Sequence, residues 1–146
     1  MRKPAILAVF AAIIAALGFY LFDRTNAPPG VTGMDAPAGS GAIVQVTLPQ
    51  ELSDNAKIGE RIFTAKCAAC HGKNAAGVDG SGPPLVHKIY EPSHHGDASF
   101  LLAVRNGVQA HHWSFGSMMP VEGLTDAEVS FIAQYVRELQ KANGIF

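Results

Sequence analysis

Both cysteines of the chain fall in one pentapeptide, Cys67-Ala68-Ala69-Cys70-His71, and no other stretch restricts the fold as tightly. Two thiols with two residues between them can each add across a vinyl group of one haem. The adjoining imidazole then falls under the iron as an axial ligand. With no third cysteine in the chain, neither thiol has another partner. Dithiol redox centres and zinc sites use similar spacings, and the surrounding residues separate them from this one. A thioredoxin-like dithiol sits between a strand and the N-terminus of a helix, whose dipole lowers the thiol pKa. Here Ser53 to Ala65 reads as a helix running into Cys67, and Gly72 with the glycine-rich stretch after it ends the element. A structural zinc site wants a second ligand pair at three-to-five-residue spacing, whereas the nearest histidine pairs, His94-His95 and His111-His112, are adjacent residues. The motif in this setting predicts covalent haem.

The elements that follow are short and helical. Gly82-Pro83-Pro84-Leu85 comes one loop after His71 and by itself predicts a tight turn. Phe100 to Val108 carries apolar residues at 100, 101, 104 and 108, one stripe of a helix that Gly107 stops. Thr125-Asp126-Ala127-Glu128 is a capping box opening a last helix, with Val129, Ile132, Ala133, Val136 and Leu139 on one face. Periodicity alone predicts a small helical domain.

Taken in order, the attachment motif, the Gly-Pro-x-Leu turn, the helix ending Arg105-Asn106-Gly107, the Gly116-Ser117-Met118-Met119-Pro120 loop and the terminal helix resemble the class I monohaem cytochromes c. The resemblance covers about residues 48 to 146. It implies an all-α fold, a small helical domain wrapped around one covalent haem c. It implies further that the Pro83 carbonyl accepts the Nδ1 proton of His71, fixing the ring and raising its basicity. Gly59 and Phe63 in the first helix and Tyr135 in the last match the family's contact between terminal helices, where glycine permits close backbone approach. The haem-binding residues are then Cys67, Cys70, His71, Pro83, Met118 and Met119, with iron held by His71 and a methionine. Met119 directly precedes Pro120, as the family's ligand often does. Met118 fits the variant spacing Met-x-Pro-Val-x-Gly-Leu and is the favoured ligand, Met119 then packing against the haem face. A nitrogen ligand from His111 or His112 is the competing assignment.

The histidine pairs depart from a generic member of that family. His94-His95 lies in a Pro- and Gly-punctuated segment, and His111-His112-Trp113 on the approach to the methionine loop. Imidazole is the commonest transition-metal ligand, so the two pairs together are one candidate second metal site. The preferred reading is hydrogen bonding to haem propionates or loop backbone, with Trp113 covering the haem edge, because adjacent residues rarely aim both rings at one ion.

At the N-terminus, Arg2 and Lys3 precede an apolar run from Ala5 to Phe22, long enough to span or nearly span a bilayer. Positive residues before the run predict a cytoplasmic N-terminus and an exported domain after it. The expected organisation is a membrane anchor over 1–22, a Pro/Gly/Ala-rich linker over 23–47 and the haem domain over 48–146. A cleaved signal peptide is the alternative, but Pro28 after Thr25-Asn26-Ala27 disfavours cleavage there. As a coil the linker would hold its ends on the order of 25–30 Å apart. Ile43 to Leu48 reads as extended chain without a strand partner. This arrangement predicts a single-pass protein of a bacterial inner membrane with its haem in the periplasm.

A formal net charge of −1 leaves no basic stripe for nucleic acid. The expected function is single-electron transfer to and from redox protein partners, with a six-coordinate iron, no small-molecule substrate and no enzymatic activity. A permanent haem subunit of a respiratory oxidase or dehydrogenase is one alternative. A haem-based sensor, which needs a weak or absent sixth ligand, is the other.

Overall fold

A computed structural model of the chain describes residues 41–146. The expected anchor and residues 23–40 of the linker lie outside the described residues. Among those described, no helix is long and apolar enough to cross a membrane. The described residues form four α-helices, α1 (Asp54–Lys66), α2 (Ala68–His71), α3 (Asp97–Asn106) and α4 (Asp126–Ala142), with 3-10 turns at Lys73–Ala75 and Lys88–Tyr90. They contain no strand, only isolated bridges at Val78–Gly82 and Val108–Met118.

The frame is the pair α1 and α4. Ser53 is the N-cap of α1, its hydroxyl accepting from the Ala56 amide at 3.3 Å. The same residue donates its amide and hydroxyl to the two carboxylate oxygens of Glu138 on α4, at 3.0 and 2.6 Å, so one cap also ties the two helices. The capping box of α4 forms as its sequence predicts. The Thr125 hydroxyl accepts from the Glu128 amide, and the Glu128 carboxylate accepts from the Thr125 amide at 2.8 Å. The five apolar residues expected on one face of α4 are all buried, joined by Tyr135 and Gln140.

At the crossing, Gly59 meets the backbone of α4 so closely that a Cβ there would lie 1.9 Å from the Phe131 carbonyl oxygen. This contact lets the Phe63 and Tyr135 rings approach to 5.6 Å at a 56° tilt in the centre of the core. Around them Ala56, Ile132, Val136 and Leu139 are sealed from solvent. Gln140 is the buried polar residue, and its bonds are complete. Its Nε2 donates to the carbonyls of Leu85 and Tyr90 at 2.8 and 3.0 Å, and its Oε1 accepts from Arg137. The loop after Pro83 is thereby stapled to α4.

α3 begins three residues before the apolar stripe, because its first turn is polar. Gly96 is the N-cap and Asp97 places a carboxylate at the positive end of the helix dipole. Val108 lies beyond Gly107 and outside the helix. Residues 43–47, read from sequence as linker, pack on the helical unit without forming a strand. The amides of Ile43 and Val44 both donate to the Ala76 carbonyl at 3.1 Å, and Thr47 exchanges two bonds of 2.9 Å with the Asn143 side chain.

Candidate functional site

α1 delivers the cysteines. Cys67 is its C-cap, with its amide bonded to the Phe63 carbonyl at 2.8 Å, and the chain turns at once into the single turn of α2 that ends on His71. Cys67 is half-buried and Cys70 exposed. Burial, with a smaller contribution from Cys70, pushes the Cys67 thiol up to about 11. A thiol so rarely ionised at neutral pH is a poor nucleophile for disulfide exchange, and the helix behind Cys67 presents its C-terminal end, which does not lower it.

The His71 ring is half-buried, and its Nδ1 donates to the Pro83 carbonyl at 2.9 Å, the bond that the resemblance implied. Burial lowers the His71 pKa, opposed by the Pro83 bond, so the ring is neutral and its Nε2 carries a free lone pair.

The methionine loop forms another wall. Gly107 sits at φ +71°, and a Cβ there would lie 2.4 Å from the Met118 carbonyl oxygen, so only glycine turns the chain here while the loop returns against it. Val108 and Met118 exchange both backbone bonds at 2.9 Å, and the Val121 amide donates to the Val104 carbonyl at 2.8 Å. Met118 is half-buried, while Met119 is 75 % exposed.

Cys67, Cys70, His71, Pro83, Met118 and Met119 all line one cavity of about 680 Å³. Its remaining wall is largely apolar and includes Phe100 and Leu102 from α3. Leu102, 58 % exposed, lies on the cavity side, which explains a large apolar residue left uncovered by protein. The buried indole N–H of Trp113, also on this wall, has no hydrogen-bond partner among protein atoms. Two thiols, a neutral imidazole, apolar walls and one unpaired donor fit a haem. The walls suit the macrocycle, the imidazole suits the iron, and the indole N–H suits a carboxylate.

The histidine pairs come together, the arrangement that the alternative reading of a joint metal site requires. His94–His95, His94–His112 and His95–His112 ring centroids lie 4.6, 5.4 and 5.4 Å apart, and His111 lies beside His112 at 4.2 Å, tilted by 50°. Backbone bonding, the preferred sequence reading, holds for two of the rings. His95 Nδ1 bonds the Ile89 carbonyl at 2.7 Å and His111 Nδ1 the Gln109 carbonyl at 2.8 Å. A length argument could have found the convergence. α3 has ten residues and is about 15 Å long, and the five residues from Val108 to His112 span about 16 Å when extended. Once Gly107 reverses the chain, the second pair returns to the first.

A family model described as Cytochrome c matches residues 56–140. No curated protein and no solved structure matches the chain. The matched stretch is more than half of the 146 residues and contains the cysteine turn, α3, the methionine loop and nearly all of α4. On that match, and with a cavity built to suit the cofactor, the chain belongs to the cytochrome c family, whose members carry covalently attached haem c and transfer electrons.

Proposed function

We propose that this protein is a membrane-tethered, monohaem class I cytochrome c that passes single electrons on the periplasmic face of a bacterial inner membrane. Cys67 and Cys70 would carry the thioether links, His71 one axial bond and Met118 the other, with Met119 against the haem face. The bound iron supplies a one-electron ferric/ferrous couple.

The observation that carries this reading is that two soft or neutral donors, on different walls of one cavity, are each held by a backbone partner. His71 is fixed through Nδ1 by Pro83, and Met118 through its own amide and carbonyl by Val108. Ligands held this way stay in place in both oxidation states, which favours electron transfer over ligand exchange. The two backbone bonds and partial burial of Met118, against the exposure of Met119, support Met118 as the sulfur ligand. With both axial positions taken there is no place for a substrate, and the protein is not an enzyme. Gly116 to Gly123, mostly exposed, would border the haem edge where a redox partner docks. Arg2, Lys3 and the apolar run to Phe22 support the tether and its orientation.

The test is made on protein purified from membranes. One haem per chain should survive acid-organic extraction, with no titratable thiol, and the ferrous protein should not bind carbon monoxide. The intact mass should begin near Met1, and deleting residues 1 to 26 behind a cleavable signal should release a soluble haem-loaded domain. Extractable haem would end the covalent assignment. Rapid carbon monoxide binding would end the electron-transfer assignment, and a chain starting at Pro28 would end the tether.

A further inference from the structure

The four histidines beside the haem cavity are not used by electron transfer through His71 and Met118. Three of them, His94, His95 and His112, each offer a ring nitrogen, and these nitrogens lie within 4.8 Å of one another. They come from segments on either side of α3, so one helix and the Gly107 reversal build the group. We propose that His94, His95 and His112 form a second metal site at the border of the haem cavity, taking a late first-row divalent ion, copper(II) foremost, with His111 available as a fourth ligand.

The chemistry of the donors selects the ion. All are imidazoles and no carboxylate belongs to the group, which excludes the hard cations calcium and magnesium and suits copper, zinc or nickel. Among these, copper(II) binds nitrogen sites most tightly. The second layer is already built for one ligand. His95 gives its Nδ1 proton to Ile89, leaving Nε2 as the free donor, the tautomer lock found behind most metal-bound histidines. The Tyr90 ring packs at 5.2 Å on the same imidazole, and the Arg137 guanidinium donates to the His95 carbonyl. His94 and His112 are exposed, which gives an ion a path in and lets both rings rotate. A tetrahedral zinc ion with bonds near 2.0–2.1 Å brings its nitrogens to roughly 3.3 Å apart, and a tetragonal copper(II) ion brings neighbouring nitrogens to about 2.8 Å, so side-chain rotations from within 4.8 Å close the site for either. His95, His111 and His112 also line the haem cavity, so the ion would lie beside the haem, where its charge raises the reduction potential.

The test uses full-length holoprotein, free of any histidine tag and treated with chelator, titrated with copper(II) and separately with zinc(II). One ion per chain is expected, with a copper Kd of about micromolar or tighter. Copper(II) electron paramagnetic resonance should show hyperfine splitting from several imidazole nitrogens, and zinc, which is redox-inert, should shift the haem potential upward. His94→Gln and His112→Gln should each weaken binding at least about tenfold, while His87→Gln, outside the cluster, should not. His94 is exposed and off the cavity wall, so its variant keeps the haem fold and serves if the other fails to accumulate. A Kd weaker than about 100 micromolar, or affinity unchanged in both variants, would overturn the site.

Discussion

Replacing Gly59 by alanine puts a methyl group where α1 meets the backbone of α4, with the new Cβ 1.9 Å from the Phe131 oxygen and 2.5 Å from its carbonyl carbon. Ordinary contact needs about 1.5 Å more. The atom in the way is main chain in the middle of a 17-residue helix and cannot swing aside. The helices must therefore part, and the Phe63–Tyr135 pair beside the crossing loosens with them. In a solvated helix the same change would stabilise by up to about 1 kcal/mol through propensity. Overpacking of a tight core costs about 1–3 kcal/mol, and a backbone obstacle puts this site at or above the upper end. The net expectation is a loss of about 2 kcal/mol or more. Urea unfolding of the holoprotein, followed by haem absorbance and circular dichroism, measures it. Gly41→Ala, where nothing lies within 4 Å, is the neutral control. A Gly59→Ala protein as stable as its parent would refute the close-approach argument.

Other changes test the ties around that frame. Gln140→Leu should cost about 1–3 kcal/mol, because the Leu85 carbonyl loses its donor and the Tyr90 carbonyl keeps only Arg137, and urea unfolding reads the loss; a neutral effect would mean that the Gln140 bonds do not hold the loop. Partial burial opposes ionisation of Glu138, but the Ser53 hydroxyl and amide outweigh it and hold the carboxyl below its ordinary value of 4.5. The folded state therefore binds this proton less readily than the unfolded one, and the stabilisation is present above pH 4.5 and is lost as the pH falls through the lower folded value. Glu138→Gln should be less stable than the parent at pH 7 and converge with it once the pH has fallen below the lowered folded value; unfolding midpoints that stay parallel from pH 7 through the acid range would refute the link.

The helical frame and the cofactor were legible from local chemistry. The Thr125 box and the apolar face of α4 are properties of a few adjacent residues, and each appears where its spacing puts it, while Ser53, read as the first residue of a helix ending at Ala65, instead caps one that runs Asp54–Lys66. Gly59, Phe63 and Tyr135 were readable through the family resemblance, which supplied a contact that periodicity could not. The start of α3 escaped because a stripe count begins at the first apolar residue, whereas Gly96 and Asp97 set the cap. The docking of residues 43–47 rests on bonds to Ala76 and Asn143, partners far away in sequence that leave no periodic trace. Convergence of the histidines depends on the reversal at Gly107 and the matched lengths on either side of it. Neither pair carries that information alone.

The central claim of the proposal is that Met118 would supply the sulfur ligand to the iron that His71 would hold. The far-red sulfur-to-iron absorption band of the ferric protein tests it directly. Met118→Ala should abolish the band, lower the reduction potential and open the ferrous protein to carbon monoxide. Met119→Ala should keep the band and leave carbon monoxide excluded. Loss of the band in Met119→Ala with survival in Met118→Ala, or a six-coordinate parent that never shows it, would contradict the account.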